Sequence, residues 1–263
     1  MFFTEEEIKL NKEFFEKGYI KKKTDSLNSL DYIKNIFINI ILNFKNIKKN
    51  SFEDILNNFH NLIDFKDLNN FRLNAINQIN DIKDFREKYF LLGKKYLEII
   101  VGNELVMQNR INLSIQLPND NSSLLPVHSD TWSGDSPFEA VLWVPLVNCH
   151  SSKSMYILPP KELSKINNFF AHSKRLSSEQ IFNEIKKDVE WININYGEIL
   201  IFNQNLPHGN IINSEPETRW SMNCRFKSLF SPYGDKKIGE FFEPITLRAI
   251  SRIGMNYKFP NET

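Results

Sequence analysis

Apolar residues in the first hundred positions recur with the period of an α-helix. A capping box formed by Thr4 and Glu7 begins the first helix. The spacing predicts a second helix from Leu27 to about Phe44 and a third helical region from Phe65 to Val101. Because these segments contain no cluster of reactive side chains, we interpret residues 1–104 as a helical scaffold.

The hydrophobic period changes near residue 105 from that of a helix to that of a strand. Apolar and polar residues alternate from Leu105 to Leu117, with breaks only at Val106 and Asn109, and they alternate again from Arg219 to Phe226. Alternation with a period of two predicts strands that have one polar face. Further strands are predicted at 138–147, 155–158, 189–194 and 197–203, and helical insertions at 160–170 and 178–187.

The two alternating strands favour an α+β fold in which antiparallel strands surround a polar interior. Their polar faces carry Gln108, Arg110, Asn112, Ser114 and Gln116 on the first strand and Arg219, Ser221, Asn223 and Arg225 on the second. In a small barrel or jelly roll such faces line a cavity, while the bulky apolar residues of the other face pack under helices outside. A β-sandwich with two polar outer faces is the alternative.

The charge balance argues against binding to nucleic acid or to an anionic membrane. The 263 residues include 33 Lys and Arg against 32 Asp and Glu, a net charge of +1, and no basic stripe is present. The sequence starts MFFTEEEIKL, which does not resemble a secretory signal, and the most apolar early run is too short to span a membrane. We expect a soluble, cytoplasmic protein that acts on a small molecule.

The length and the cysteines are consistent with one domain in a reducing compartment. No linker of Pro, Gly and Ser divides the chain, so we expect a single domain over 1–263 with a barrel core at 105–232 and a C-terminal extension at 233–263. Cys149 and Cys224 lie in apolar, strand-like segments and are expected to be buried thiols. The sequence does not indicate the oligomeric state.

Two histidines and an aspartate form the strongest candidate for a chemical site. His128 and Asp130 are two positions apart, so their side chains would point to the same side of a strand. His208 follows a predicted buried strand and a Pro-containing turn. Two histidines and one carboxylate bind non-haem iron(II) and leave coordination positions open for a bidentate cosubstrate and dioxygen. Zinc is the rival metal, but it favours closed tetrahedral ligand sets, and the sequence offers no fourth ligand close by.

Arg219 and Ser221 form a candidate site for a carboxylate. They lie on the same face of a predicted strand, and Arg219 follows His208 by 11 residues. A guanidinium group can give a carboxylate two parallel hydrogen bonds, and the serine hydroxyl can add a third. The alternative is that Arg219 pairs with a neighbouring acid, Glu215 or Glu217. Arg225, on the same strand face, is the second candidate for this role.

Four further polar or aromatic residues are candidates for contact with a substrate. Gln108, Arg110 and Arg225 lie on the predicted inner faces, where the two arginines would add positive charge to the cavity unless they are paired internally. Trp132 follows Asp130 and would either stack on a sugar ring or cover the core. These residues favour an anionic or hydroxyl-rich small molecule.

These motifs together resemble the iron(II)/2-oxoglutarate-dependent oxygenases, specifically their phytanoyl-CoA dioxygenase-like branch. The resemblance rests on His128-Ser129-Asp130, on Pro207-His208-Gly209-Asn210 after Gly197-Glu198, and on Arg219-x-Ser221. The stretches 132–145 and 218–233 are similar to members associated with bacterial surface-carbohydrate gene clusters. One departure is Pro159-Pro160-Lys161-Glu162, which stands where the family has Pro-Gly-Ser-His.

The resemblance implies a double-stranded β-helix, a jelly-roll or cupin-like barrel, that binds iron(II) through His128, Asp130 and His208. It implies that Arg219 and Ser221 bind 2-oxoglutarate, with a further contact from Asn112. The cosubstrate and dioxygen would be used to hydroxylate a C–H bond of a small polar metabolite, such as a carbohydrate or a sugar precursor. Halogenases of this superfamily lack the carboxylate ligand, so the presence of Asp130 favours hydroxylation.

Two other functions are compatible with the same residues. A cupin-like barrel could bind a sugar or a metal without redox catalysis. The metal site could also serve an isomerase or a dehydratase, which would form its product without consuming 2-oxoglutarate.

Overall fold

The computed structural model describes residues 2–45, 54–166 and 177–260. The α-helices are α1 (Glu5–Lys17), α2 (Leu27–Lys45), α3 (Phe65–Asp81), α4 (Phe85–Leu91), α5 (Lys94–Ile100), α6 (Ser178–Ile185) and α7 (Ala249–Met255). The strands are β1 (Tyr19–Lys23), β2 (Leu105–Gln108), β3 (Asn112–Gln116), β4 (Glu139–Pro145), β5 (Tyr156–Ile157), β6 (Glu190–Trp191), β7 (Glu198–Asn203), β8 (His208–Gly209), β9 (Arg219–Ser228) and β10 (Phe242–Pro244).

The predicted helices are confirmed at α1 and α2, and the third region is divided into α3, α4 and α5. The Thr4 hydroxyl accepts a hydrogen bond from the Glu7 backbone N–H, and the Glu7 carboxylate accepts one from the Thr4 N–H, as expected for a capping box. In the helical insertion predicted at 160–170, residues 167–170 lie outside the described residues.

Seven strands form a large antiparallel sheet. Its order is β1-β7-β4-β9-β2-β10, and β3 also pairs with β9, beside β2. The prediction that the first hundred residues are helical is therefore wrong at β1, which pairs with β7 at the edge of this sheet. The C-terminal extension likewise contributes β10, which pairs with β2. Both ends of the described chain thus help to build the sheet.

A second antiparallel sheet is smaller and carries part of the candidate site. Its order is β6-β5-β8, and an isolated bridge between His128 and His208 adds one more residue pair beside β8. Within the described residues the two sheets are not joined into a closed barrel. The α+β class with antiparallel sheets and outer helices is confirmed, and the strands form two separate hydrogen-bonded sheets.

The helices cover the apolar face of the large sheet, as the sequence predicts. Trp220 is fully buried in a cluster with Phe37, Phe59 and Phe71, and its indole N–H donates to the Leu56 carbonyl. The opposite face of the same strand carries Arg219 and other polar residues. Burial of the aromatic face therefore turns the polar face of β9 towards the interior between the sheets.

The strand predicted at 105–117 is broken between Gln108 and Asn112, and a side chain of helix α3 binds the backbone of the break. Asn80 of α3 accepts a hydrogen bond from the Ile111 N–H (2.9 Å) and donates to the Ile111 carbonyl (3.2 Å). The Asn109 N–H is bound by the Phe241 carbonyl at 2.8 Å. Because these backbone groups have partners outside β9, β2 and β3 are separate segments along one edge of that strand.

Replacing Asn80 with Ala is expected to lower the free energy of unfolding by about 1–3 kcal/mol, because both backbone groups of the buried Ile111 would lose their partner. Urea unfolding monitored by circular dichroism measures this. The control is Asn77→Ala, which changes an exposed residue of the same helix and should shift stability by no more than about 0.5 kcal/mol. Equal losses in the two variants would contradict the role assigned to Asn80.

Both cysteines are buried and unpaired, as predicted. Among the described residues, no helix is both long enough and apolar enough to cross a membrane.

Candidate metal centre

His128, Asp130 and His208 converge on one point. One ligand atom from each residue lies within 4.8 Å of the others. The two histidines are backbone neighbours, because the His128 N–H donates to the His208 carbonyl (3.0 Å) and the His208 N–H donates to the His128 carbonyl (2.8 Å). The ring centroids are 4.3 Å apart. Antiparallel pairing thus brings together two side chains that are 80 positions apart in sequence.

Asp130 reaches the same point because the chain turns directly after His128. The Asp130 N–H donates to the Gln204 carbonyl at 3.2 Å, and a 3₁₀ turn spans Asp130–Ser133. One carboxylate oxygen, Oδ1, is 3.5 Å from His128 Nε2. The carboxylate is therefore placed beside the two imidazoles by a turn and not by a continuous strand.

The imidazole rings present their Nε2 atoms to this point. The Nδ1 atom of His128 lies 2.8 Å from the Pro126 carbonyl, and Nδ1 of His208 lies 2.8 Å from the Leu206 carbonyl. A carbonyl oxygen only accepts, so each Nδ1 carries a proton, and in the neutral ring the free lone pair is then on Nε2. Burial, followed by the proximity of His128, lowers the pKa of His208 to about 4. Both features favour neutral, ligating imidazole at His208.

Arg225 binds the other oxygen of Asp130. Its Nη2 lies 2.9 Å from Asp130 Oδ2 and 3.4 Å from a carboxylate oxygen of Asp135, and its Nε donates to the side-chain carbonyl of Gln204 at 2.9 Å. Lys236, in the C-terminal extension, also pairs with Asp135. Asp130 Oδ2 is thereby occupied, so Oδ1 is the oxygen that faces the histidines.

A cavity of about 380 Å³ adjoins the three residues and lies between the two sheets. Its lining includes the apolar side chains of Val141, Trp143 and Phe202 and many polar groups. The polar lining residues are Arg72, Asn112, Ser114, Ser122, Ser123, His128, Asp130, His208, Asn210, Arg219, Ser221, Asn223 and Arg225.

Arg219 is a buried cation in the wall of this cavity. It is 2% exposed; its Nη1 donates to the Ser154 carbonyl (3.1 Å) and its Nη2 to the Ser114 hydroxyl (2.9 Å). Its Nε and the nearby Ser221 Oγ are buried without a hydrogen-bond partner. Burial lowers the pKa of Arg219 to about 10. Neither Glu215 nor Glu217 forms an ion pair with it, and the described residues provide no other acidic partner.

Asn112 also lines the cavity, where its amide donates to the side chain of Asn223 at 2.9 Å. The two residues face each other in the register of β3 and β9, two positions from the Ser114 and Ser221 pair. The predicted polar faces of these two strands therefore meet at the cavity at Asn112 and Ser114 of β3, whereas Gln116 does not line it and donates to the Ile211 carbonyl at 2.7 Å.

The four residues predicted to contact a substrate do not all lie at the cavity. Arg110 is exposed and donates to Asn77 at 3.0 Å, so it adds no charge to the cavity; the break at residues 109–111 removes it from the polar face. Gln108 is buried but does not line the cavity, and its side chain accepts from the Arg225 N–H. Trp132 is 45% exposed and lies outside the cavity lining. Of the four, only Arg225 lines the cavity.

Sequence reasoning missed Arg72, Asn210 and Gln204. Arg72 belongs to α3 and lines the cavity, although the N-terminal helices were expected to be scaffold only. Arg72 lies four residues after the buried Leu68, at the border of the apolar stripe of α3. This spacing could have indicated from the sequence that its side chain is turned towards the sheet. Asn210 is the last residue of the motif Pro207-His208-Gly209-Asn210, although no role was predicted for it. Gln204 could not be recognised from the sequence, because its contacts are with residues distant in sequence.

No family model matches the sequence, and no curated protein shows significant similarity to it. Solved structures do match. AviO1 from Streptomyces viridochromogenes Tue57 has 12% identity and a TM-score of 0.56, over 88% of this chain and 99% of that chain. SnoK, a non-heme alpha-ketoglutarate dependent carbocyclase from nogalamycin biosynthesis, has 11% identity and a TM-score of 0.55, over 93% and 97%.

A third similar structure is EctD from S. alaskensis, solved with 2-oxoglutarate and 5-hydroxyectoine. It has 13% identity and a TM-score of 0.55, and the match covers 86% of this chain and 77% of that chain. At these levels of identity the comparisons establish a shared fold. A shared fold does not determine the chemistry, which depends on the residues at the site.

Proposed function

We propose that this chain is an iron(II)- and 2-oxoglutarate-dependent oxygenase of the phytanoyl-CoA dioxygenase-like branch, and that it forms one domain. It hydroxylates a C–H bond of a small polar metabolite of the carbohydrate or sugar-precursor class. The observation that carries the proposal is a two-histidine, one-carboxylate set that opens on a cavity whose wall contains a buried arginine without an acidic partner.

The residues fit iron(II). Two neutral imidazoles and one carboxylate oxygen are the ligands of the facial triad, which leaves positions open on the cavity side. Each imidazole is fixed by a carbonyl, and Asp130 is fixed by Arg225, so the three ligands have the outer partners that metal sites require. A closed zinc site is disfavoured, because no further Cys, His, Asp or Glu of the described chain joins this group.

The part of the cavity wall formed by Arg219 and Ser221 fits the far carboxylate of 2-oxoglutarate. Arg219 Nε and Ser221 Oγ are buried donors that lack a partner, which is costly unless a ligand supplies an acceptor. A carboxylate would accept from both and would neutralise the buried guanidinium. Arg225 is less suited to this role because Asp130 and Asp135 already neutralise it. Asn112 and Asn223 also line the cavity.

Each residue then has a distinct task. When bound, iron(II) and 2-oxoglutarate supply the oxidising chemistry, in which dioxygen is consumed and succinate and carbon dioxide are formed. His128, His208 and Asp130 would hold the metal, Arg225 keeps Asp130 Oδ2 engaged, and Arg219 with Ser221 would orient the cosubstrate. Val141, Trp143 and Phe202 provide an apolar wall that limits the access of water.

The proposal is tested by adding iron(II) and then 2-oxoglutarate to the metal-free protein without oxygen. A weak visible charge-transfer band is expected on the second addition, since 2-oxoglutarate would bind the metal through two oxygens. The band should be absent in Asp130→Ala. If the protein binds iron but the band never forms, the chain is a metal-binding barrel that does not use 2-oxoglutarate.

Turnover experiments separate the reaction types. Succinate formation should require both iron(II) and oxygen, and the product of a substrate screen should contain one added oxygen atom. A product that has only lost hydrogen would show an oxidative cyclisation or a desaturation and would overturn the hydroxylase assignment. A product formed without consumption of 2-oxoglutarate would identify an isomerase or a dehydratase.

A further inference from the structure

Arg72 extends from α3, in the outer helical layer, to the cavity. Its Nη2 donates to the Ile115 carbonyl of β3 at 3.0 Å and to the Ser123 hydroxyl at 2.6 Å. Ile115 faces Trp220 in the register of β3 and β9, and the Trp220 carbonyl accepts from the Leu146 N–H, so the Ile115 carbonyl lies on the edge of β3 away from β9. Nε and Nη1 of Arg72 form no hydrogen bond to any described residue. The guanidinium group is therefore anchored on one side and has donors available on the other.

The charge of Arg72 is not neutralised by direct contact with an acid. Asp120 is the nearest acidic group, but its carboxylate accepts from the Ser122 N–H and from the hydroxyls of Ser122 and Ser123. Asp120 thus reaches Arg72 only through the Ser123 hydroxyl. Burial lowers the pKa of Arg72, and Asp120 partly offsets this. The positive charge of Arg72 also contributes to the lowered pKa of Arg219.

Occupation of the proposed cosubstrate site would leave Arg72 unpaired. One carboxylate of 2-oxoglutarate would meet Arg219 and the other would meet the metal. Arg225 is matched by Asp130 and Asp135. Arg72 is then the cation of the cavity wall that still has no anionic partner in contact.

Asn210 supplies a second donor next to the same loop. Its Oδ1 accepts from the Leu125 N–H at 2.7 Å, and its backbone N–H donates to the Leu125 carbonyl at 3.0 Å. Its Nδ2 is buried without a partner, the residue is 5% exposed, and it lines the cavity. A buried amide donor without an acceptor indicates a position that a ligand fills.

We propose that Arg72 and Asn210 form a subsite for an anionic group of the substrate, a phosphate or a carboxylate, beside the loop of Ser123 and Leu125. This subsite deepens the proposed function and rests on it, since it is distinct from the cosubstrate position only if 2-oxoglutarate binds at Arg219. Arg72 is a specificity-determining residue, because substrates that lack the anionic group would leave it unpaired. The helical layer thereby contributes to substrate recognition as well as to stability.

The test is calorimetric titration of inorganic phosphate, and separately of acetate, into protein loaded with iron(II) and 2-oxoglutarate without oxygen. Phosphate or acetate should bind the wild-type protein, and the tighter of the two identifies the anionic group. Arg72→Gln should weaken this binding about 10-fold or more, as expected for the loss of a charged hydrogen-bond donor. The affinity for 2-oxoglutarate, measured from the charge-transfer band, should change by less than about 2-fold.

Two variants control the result. Asn210→Asp retains the oxygen that binds the Leu125 N–H but replaces the free donor with a carboxylate, so it should also weaken phosphate binding while the fold is preserved. Lys66→Gln removes an exposed charge from the same helix, away from the cavity, and should leave the affinity unchanged. Circular dichroism and thermal unfolding of each variant show whether it is folded.

The subsite is overturned if neither anion binds the wild-type protein, if Arg72→Gln binds the anions with wild-type affinity, or if Arg72→Gln weakens 2-oxoglutarate instead. If the charge-transfer band never forms, the proposed function fails separately. The same titrations into the protein without metal and 2-oxoglutarate then still test the subsite, and equal affinity in Arg72→Gln and the wild type overturns it.

Discussion

His208→Ala is expected to abolish stoichiometric iron(II) binding. The variant keeps His128 and Asp130, but Asp130 Oδ2 is bound to Arg225, so only two ligand atoms remain. Changes to outer partners of metal ligands alone cost about 10–100-fold in affinity, so the loss of a direct ligand should exceed about 100-fold. Iron content after gel filtration, together with the charge-transfer band, measures the effect.

The matched control is His150→Ala, which removes an exposed histidine that does not line the cavity. It should retain full iron content. Because His208 is buried and packs against Phe202, the thermal unfolding of metal-free His208→Ala is compared with that of the metal-free wild type. A folded His208→Ala variant that still holds one iron per chain would refute the ligand assignment.

Arg219→Lys is expected to weaken 2-oxoglutarate binding about 10–100-fold, seen in the anaerobic titration and as a higher apparent KM. Lysine keeps the charge but lacks the planar fork, and the buried Nε donor disappears. The affinity for iron(II) should be unchanged, since Arg219 makes no contact with His128, Asp130 or His208. Ser221→Ala should act in the same direction with a smaller effect, because it removes one neutral donor.

Arg225→Lys serves as the counterpart and should show the opposite pattern. It disturbs the contacts with Asp130 and Gln204, so it should weaken iron(II) binding and affect 2-oxoglutarate only through the metal. Unchanged 2-oxoglutarate binding in Arg219→Lys, combined with weaker 2-oxoglutarate binding and normal iron affinity in Arg225→Lys, would show that Arg225 is the anchor.

The sequence allowed much of the sheet to be predicted, and it singled out His128, Asp130 and His208, which the structure brings together. Period-two alternation is a local property, so it identified the polar and apolar faces of β9 and the segment that contains β2 and β3. The interruption between β2 and β3 was underestimated because it depends on Asn80, some 30 positions away. The assignment of Arg110 to the cavity was wrong for the same reason.

Contacts between distant segments account for what could not be predicted. Asp130 pairs with Arg225 across 95 positions, and Arg72 contacts Ser123 across 51 positions. β1 was missed because Tyr19–Lys23 ends in three lysines and is stabilised by pairing with β7, not by its own pattern. The spacing of His128, Asp130 and His208 carried no information about Arg72 or Asn210, which approach from other elements.

The loop between β3 and His128 forms part of the cavity wall, but it does not fix the positions of the three residues of the proposed metal site. The three residues of the proposed metal site are fixed by backbone pairing and by carbonyl contacts, whereas Ser122, Ser123, Leu124 and Leu125 form part of the wall with partly or fully exposed side chains. Substitutions in this loop can therefore change the shape and polarity of the wall while the ligand positions are retained. Under the proposed function, this segment is where substrate range can change, and it is the natural place to begin directed evolution.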